Sequence, residues 1–94
     1  MKISSHAIAL IQNFEALRTT AYKPVSSESG WTIGYGHHGP DVKKNSICTE
    51  IEAEHLLKSD LEKIERQVIA ALNADEIEVT QGMFDALCSL LFNL

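Results

Sequence analysis

Residues 30–39 read GWTIGYGHHG, and this stretch decides the fold because glycine, aromatic and polar side chains are concentrated in it. Trp31, Ile33 and Tyr35 recur at a period of two, which predicts a strand with these three side chains on one face. Thr32 then lies on the opposite face, where we expect it to look outward into a cleft. The four glycines indicate a sharp turn or a close approach to the backbone. A functional site and a plain glycine-rich hairpin both fit this pattern.

The composition is that of one small globular domain. Its 94 residues are enough to bury a core, and the apolar fraction of 45% and the charged fraction of 22% are ordinary. Eight Lys and Arg against thirteen Asp and Glu give a net charge of −5. This balance argues against nucleic acid as a partner, because a nucleic-acid binder needs a basic face.

Targeting signals and cysteine count narrow the class of protein that this sequence can encode. No apolar run is long enough to span a membrane, and the first residues do not form a signal peptide. We therefore expect no membrane partner and synthesis in the cytoplasm, with export depending on another protein. Cys48 and Cys88 are too few and too far apart for a disulfide scaffold or a metal site, so we expect two buried free thiols.

A first amphipathic helix is predicted over residues 5–17 from apolar side chains at helical spacing, with Ser4 or Ser5 as its N-cap. Glu15 lies near the C-terminal end of this helix, beside Phe14. The helix dipole and the apolar neighbours both disfavour a charged carboxylate there. Glu15 is therefore a candidate general acid. The alternative is a surface carboxylate at a frayed helix end.

The remaining elements follow from local signals. Residues 19–23 and 31–35 predict short antiparallel strands. Thr49 and Glu52 form a capping box that opens a helix to about residue 72, roughly 35 Å long and able to bridge two lobes. Its charged residues 62–66 are expected to be solvated. A last helix begins at Thr80 and is apolar on most of its circumference, so we expect further chain or a second chain to cover it.

The histidines do not suggest a metal site. His37 and His38 are neighbours on a strand and face opposite ways, and the other two histidines show no ligand spacing. One of the pair is expected to be held by a carboxylate, for which Asp60 on the long helix is a candidate. The alternative is an ordinary exposed Asp60 near a lysine.

Several segments together carry a specific resemblance that covers essentially the whole chain. They are FEALR at 14–18, AYK at 21–23, WTIGYGH at 31–37, GPDV at 39–42, AE at 53–54, TQ at 80–81, FDAL at 84–87 and FN at 92–93. In these segments the chain closely resembles the phage-type lysozymes, or endolysins, of glycoside hydrolase family 24. The resemblance implies an α+β, lysozyme-like fold. An N-terminal lobe with the active site would span 1–48, a bridging helix 49–73, and the start of a helical C-terminal lobe 80–94.

The resemblance also implies an activity, namely hydrolysis of the β-1,4 bond between N-acetylmuramic acid and N-acetylglucosamine in bacterial peptidoglycan, leading to host cell lysis. The partner would be the glycan strand, and no cofactor is implied. The family's catalytic acid falls on Glu15 and its water-placing threonine on Thr32, while His37 and Asp60 fall on a structural pair. The side chains or backbone expected to contact substrate are those of Tyr22, Trp31, Gly34 and Tyr35.

The segment between Glu15 and Thr32 departs from the family pattern. Family members usually place an Asp, sometimes a Cys, nine residues after the Glu and the Thr six further on. Position 24 here is Pro, and the spacing is two residues longer. Glu28 is the only carboxylate in this insertion and is a candidate for the second catalytic role, with Ser26 or Ser27 orienting water.

The C-terminal end departs from the pattern as well. Phage-type lysozymes continue well past residue 93, so we expect a truncated C-terminal lobe that leaves Phe84, Leu87, Leu91 and Phe92 uncovered and favours a homodimer through the last helix. The competing hypothesis is that the chain is a catalytically inactive lysozyme-like module that binds glycan or self-associates.

Overall fold

The computed structural model describes residues 1–23 and 30–94 of the chain. Within these ranges the fold is α+β, as predicted. Its elements are α1 (Ser5–Glu15), β1 (Arg18–Tyr22), β2 (Thr32–Gly34), β3 (His37–His38), α2 (Glu50–Ala74) and α3 (Gln81–Phe92). None of the helices in the described part of the chain combines the length and apolarity that a membrane crossing requires.

The three strands form one antiparallel sheet in the order β1-β2-β3. Thr32 on the central strand pairs with Tyr22 on one side and with His38 on the other. It is only 6% exposed, so the expectation that it looks outward into a cleft is wrong.

Local capping interactions start the helices where the sequence predicts them. The Ser4 hydroxyl accepts a hydrogen bond from the Ala7 amide at the start of α1. At the start of α2, the Thr49 hydroxyl accepts from the Glu52 amide and the Glu52 carboxylate accepts from the Thr49 amide. This capping box satisfies two amides that have no partner inside the helix. It confirms the predicted start of α2.

The main core joins all three helices. Its buried side chains come from the N-terminal segment, from every helix and from the β2–β3 turn: Ile3, Ala7, Ile11, Tyr35, Ala53, Leu57, Leu61, Val68, Phe84 and Cys88. A smaller cluster under the sheet consists of Ala21, Ile33 and Val42, with Trp31, Cys48 and Leu56 packed against it. The first helix therefore shares its core with α2 and α3 while the sheet has its own. The lobe boundaries at 1–48, 49–73 and 80–94 stay a prediction.

Helix α3 is better covered than the sequence suggests. Phe84 is 1% exposed, and Leu91 and Phe92 are half-buried against the main core. The expectation that Phe84 is left uncovered is wrong, because α2 and, less extensively, α1 pack on α3 and enclose this side chain in the main core. Leu87 and Leu90 on the same helix do remain exposed.

Glu65 corrects the prediction of a fully solvated face on α2. It is 7% exposed, and its carboxylate accepts a hydrogen bond from the Ile3 amide at 2.6 Å. Buried carboxylates require such partners. The side chain lies on the buried stripe of α2, one helical turn after Leu61, and ties the N-terminal segment to that helix.

Candidate active site

Glu15 is the last residue of α1, and the chain changes direction immediately after it. Ala16 has a positive φ of 59°, which ends the helix. The Glu15 side chain is half-buried and lies against the β2–β3 turn at Gly36, whose own φ is 78°. A Cβ atom at position 36 would be 2.8 Å from Glu15 Oε2. The missing side chain at Gly36 therefore makes room for the Glu15 carboxylate.

Glu15 also lines a cleft between α1 and α3. The walls of this cleft, called the α1–α3 cleft below, are mostly apolar and consist of Ala7, Leu10, Ile11, Phe14, Glu15, Asp85, Ala86, Ser89 and Asn93. Within residues 1–23 and 30–94, no group donates a hydrogen bond to Glu15. A carboxyl that is half-buried, beside apolar walls and without a donor is suited to exchange a proton with a ligand in the cleft.

Asp85 is the second carboxylate of the α1–α3 cleft, but it has structural partners. It accepts hydrogen bonds from the Ser4 amide at 2.9 Å, the Ser4 hydroxyl at 2.6 Å and the Gln81 side-chain amide at 2.8 Å. Burial works to raise the pKa of Asp85, but these hydrogen bonds outweigh it and hold the pKa below its usual range. Asp85 is therefore an ionised anchor for the N-terminal segment, and it differs from Glu15 in having these hydrogen-bond partners.

Sequence reasoning missed the contribution of α3 to this cleft. Asp85, Ser89 and Asn93 follow one another at intervals of four, so they form a polar stripe along an otherwise apolar helix. This four-residue spacing was the signal in the sequence from which the polar stripe could have been predicted. The Asn93 amide nitrogen donates to the Ser89 carbonyl at 3.0 Å, which leaves its amide oxygen as an acceptor.

His37 is held by two carboxylates. Its Nδ1 lies 2.8 Å from Asp60 Oδ2, and its Nε2 lies 2.9 Å from Asp41 Oδ2. Burial alone would lower the pKa of His37, but the hydrogen bonds to Asp41 and Asp60 outweigh it and raise the pKa. The bond from His37 in turn lowers the pKa of Asp41. The contact between His37 and Asp60 was predicted. Asp41, four residues after His37, was not.

The aromatic residues expected to contact substrate lie outside the α1–α3 cleft. The Lys23 ammonium lies 5.1 Å from the centroid of the Trp31 ring, and the Arg18 guanidinium lies 4.9 Å from the centroid of the Tyr22 ring. Neither ring is among the residues that line the α1–α3 cleft, and Thr32 is not among them either.

Gly34 and Tyr35 pack towards α2. A Cβ atom at Gly34 would lie 3.2 Å from the Ala53 Cβ, so the observed role of this glycine is close packing of the sheet on the helix. Tyr35 lines a second pocket, with residues of α1 and α2. Glu28, together with Pro24, Ser26 and Ser27, lies outside the described residues.

The family model for phage lysozyme matches residues 12–94. The chain belongs to the phage lysozyme family. It is 46% identical to the endolysin of Bacillus phage B103 over 94 residues, which is 100% of this chain and 35% of that endolysin. The chain thus spans about a third of the length of this curated relative. The predicted family is confirmed.

Solved structures agree with this family. The muramidase domain of SpmX from Asticcacaulis excentricus superposes with a TM-score of 0.82 at 36% identity, over 98% of this chain and 58% of that one. A putative phage endolysin from S. enterica superposes with a TM-score of 0.75 at 26% identity, over 98% of this chain and 90% of that one. The predicted lysozyme-like fold is confirmed as well. The chain therefore covers part of one of these two solved structures and nearly all of the other.

Within the part of this lysozyme-family chain that the structure describes, no three His, Cys, Asp or Glu side chains are grouped to hold a metal ion. Of the two free cysteines, Cys88 is buried in the main core. Burial, with the charges of Glu65 and Asp85, raises the pKa of Cys88 to about 11. Such a thiol stays protonated and packs as a small apolar side chain.

Proposed function

We propose that this chain acts in the hydrolysis of bacterial peptidoglycan, at the β-1,4 bond between N-acetylmuramic acid and N-acetylglucosamine, with Glu15 as the general acid. The observation that carries the proposal is the position of Glu15. Glu15 ends α1 and lines the α1–α3 cleft, and its carboxylate lies against Gly36 without a donor from the described residues. Family membership supplies the reaction class.

The chemistry assigned to Glu15 is proton donation to the oxygen of the scissile bond. As the bond between this oxygen and the anomeric carbon breaks, the sugar develops oxocarbenium character, and water then adds to the anomeric carbon. We assign the placing of this water to Thr32 on the family resemblance alone, since Thr32 is buried on the central strand and does not line the α1–α3 cleft. His37 and Asp60 hold β3 on α2 and have no chemical step.

The second group that such a reaction needs is assigned to Glu28, with the hydroxyl of Ser26 or Ser27 orienting water. The support is sequence alone, since Pro24 takes the place of the family's usual Asp or Cys. Tyr22, Trp31, Gly34 and Tyr35 are assigned to substrate contact on the same basis. We further propose synthesis in the cytoplasm and action on the wall after release.

The test is clearing of a peptidoglycan suspension by the wild-type chain and by Glu15→Gln, with Glu78→Gln as the control because Glu78 is an exposed acid outside the cleft. General acid catalysis contributes about 10²–10⁴-fold, so Glu15→Gln should lower the rate by at least about 10²-fold while the control leaves it unchanged. Mass analysis of the released fragments identifies the bond, because a muramidase leaves N-acetylmuramic acid at the new reducing end. Clearing that survives in Glu15→Gln would contradict the assignment.

Glu28→Gln belongs in the same series. If Glu28 carries the second role, its loss should lower the clearing rate with little change in folding. Unchanged clearing would exclude Glu28 from this role.

A second candidate function is an inactive module that binds glycan or self-associates. Pro24 at the position of the usual second carboxylate favours it. A folded chain that sediments with insoluble peptidoglycan but releases no fragments would support this function over the enzyme.

A further inference from the structure

The sheet region carries an excess of positive charge that the candidate active site does not use. Residues 16–23 and 30–48 contain four Lys and Arg side chains and a single carboxylate, that of Asp41. Residues 49–94 contain ten carboxylates and three basic side chains. The net charge of −5 is therefore unevenly distributed, with the negative charge on α2, α3 and their connection. An anionic partner is attracted to the sheet and repelled by the helices.

Three of these cations lie around one end of β1. Lys23 directly follows the last residue of this strand. The Ala21 amide donates a hydrogen bond to the Ser46 carbonyl at 2.8 Å, so the turn that contains the exposed Lys43 and Lys44 lies beside the same end of β1. Lys23, Lys43 and Lys44 are called the lysine patch below.

The lysine patch is held in place by its surroundings. The Ser46 amide donates to the Lys43 carbonyl at 2.9 Å, and the Lys43 amide donates to the Ser46 hydroxyl at 3.0 Å. These two bonds close the turn that presents Lys44. The Lys23 ammonium lies 5.1 Å from the centroid of the Trp31 ring, and Trp31 packs against the small cluster under the sheet. Charges that are arranged in advance lose less conformational entropy when they bind a ligand.

Fold stability does not account for the lysine patch, because like charges on neighbouring segments repel each other. Among residues 1–23 and 30–94, none of its three side chains forms an ion pair. Asp41, two residues before Lys43, pairs with His37. The acidic first turn of α2 lies towards the other end of β1, since the Cys48 amide donates to the Thr19 carbonyl. The patch therefore faces an external anion rather than carboxylates of this chain.

We propose that the lysine patch binds a linear polymer of phosphodiester units, such as those that bacterial cell walls carry. Lysine ammonium groups bind phosphate oxygens as separate point charges, whereas carboxylates are matched better by the paired donors of arginine, which the patch does not contain. A polymer fits better than a small anion, because the three cations are spread over two chain segments. None of them lines the α1–α3 cleft, so a bound polymer leaves that cleft open.

The choice of a cell-wall polymer rests on the proposed function, which brings the chain to the wall. Nucleic acid is also a phosphodiester polymer, but its charge is dense. The ten carboxylates of residues 49–94 oppose such a partner more strongly than they oppose a sparsely charged wall polymer.

The experiment is a titration of the ¹⁵N-labelled chain with a synthetic glycerol phosphate oligomer, followed by amide chemical shifts. The largest shifts should fall on residues 20–23 and 42–47, and those around Glu15 should stay small. A few exposed charges bind weakly, so we expect a Kd of about 0.1 to 1 mM at low salt. A tenfold rise in ionic strength should weaken binding at least about tenfold. The same spectra show whether each variant is folded.

Matched variants separate the lysine patch from the charge of the whole chain. Lys43→Gln/Lys44→Gln should bind at least about fivefold more weakly, because two of the three cations are lost. The control Lys58→Gln/Arg66→Gln removes the same charge from exposed positions on α2 and should bind within about twofold of the wild type. Lys23→Gln should bind about two- to threefold more weakly, and Lys23→Arg, which keeps the cation, should restore binding.

Several outcomes would overturn the proposal. Equal losses in the two double variants would show general charge attraction, and shifts centred outside the lysine patch would place the polymer elsewhere. Tighter binding of polyglutamate or of single-stranded DNA of equal charge would assign the patch to another class of polyanion. Absence of saturable shifts at low salt overturns the proposal too. Because the titration involves no hydrolysis, its failure leaves the role of Glu15 intact, and failed clearing does not alter the binding that it measures.

Discussion

Gly36 shows how one residue links backbone conformation to the candidate site. Its φ of 78° is a left-handed conformation, and a side chain there would meet the Glu15 carboxylate at 2.8 Å. Gly36→Ala should therefore lower the melting temperature by roughly 5 °C or more and reduce peptidoglycan clearing, because both the backbone and the Glu15 position are disturbed. Gly30→Ala is the matched control, since nothing lies within 4 Å of a Cβ at Gly30. Equal thermal stability and clearing in the two variants would contradict this account of Gly36.

At the scale of elements, His37 joins the sheet to α2 through Asp60 and to the following loop through Asp41. The pKa of His37 is raised above 6.5, so its stabilisation is complete below about pH 6.5 and is lost as pH rises through the raised value. The pKa of Asp41 is lowered below 3.8, so its part is complete above about pH 3.8 and is lost as pH falls through the lowered value. The interaction is therefore strongest between about pH 4 and 6.5.

The corresponding measurement is thermal unfolding of His37→Gln from pH 4 to 9. The difference in melting temperature from wild type should be roughly 4–8 °C near pH 5.5 and should shrink above pH 7. His38→Gln is the control, because His38 is exposed and makes no side-chain hydrogen bond with the described residues. A difference for His37→Gln that does not vary with pH would show that only packing is lost.

At the scale of the whole molecule, the outer face of α3 and the adjoining end of α2 are apolar. A groove there is lined by Val68, Leu72, Leu87, Leu90 and Leu91, of which Leu90 is 62% exposed. We propose that a second copy of the chain packs on this face, since burying apolar surface of this kind favours association, although the net charge of −5 on each copy opposes it.

Sedimentation equilibrium of the wild-type chain over a wide concentration range tests this association. Leu90→Gln should shift the balance toward monomer, and Ile51→Gln should not, because Ile51 is equally exposed but lies at the other end of α2. A wild-type chain that stays monomeric throughout would exclude the dimer.

The elements and the position of Glu15 were predictable because their signals are local. The caps at Ser4 and Thr49 act over three residues, and apolar spacing marks each helix. The motif segments predicted the family, which the comparisons confirm. A general acid at Glu15 and a water-placing Thr32 remain predictions, although the residues themselves were found from sequence.

By itself, the sequence determined the element order, the helix starts, the family and the candidate acid. Only the tertiary structure decided that Ser4 binds Asp85, 81 positions away, that Ile3 binds Glu65, 62 positions away, and that Phe84 is buried in the core shared by the three helices. It also placed Tyr35 with Glu50 and Glu54 in a second pocket. Caps and periodicity arise from hydrogen bonds within one helical turn. Contacts between distant segments depend on how whole elements pack, and packing leaves no mark at a fixed spacing in the chain.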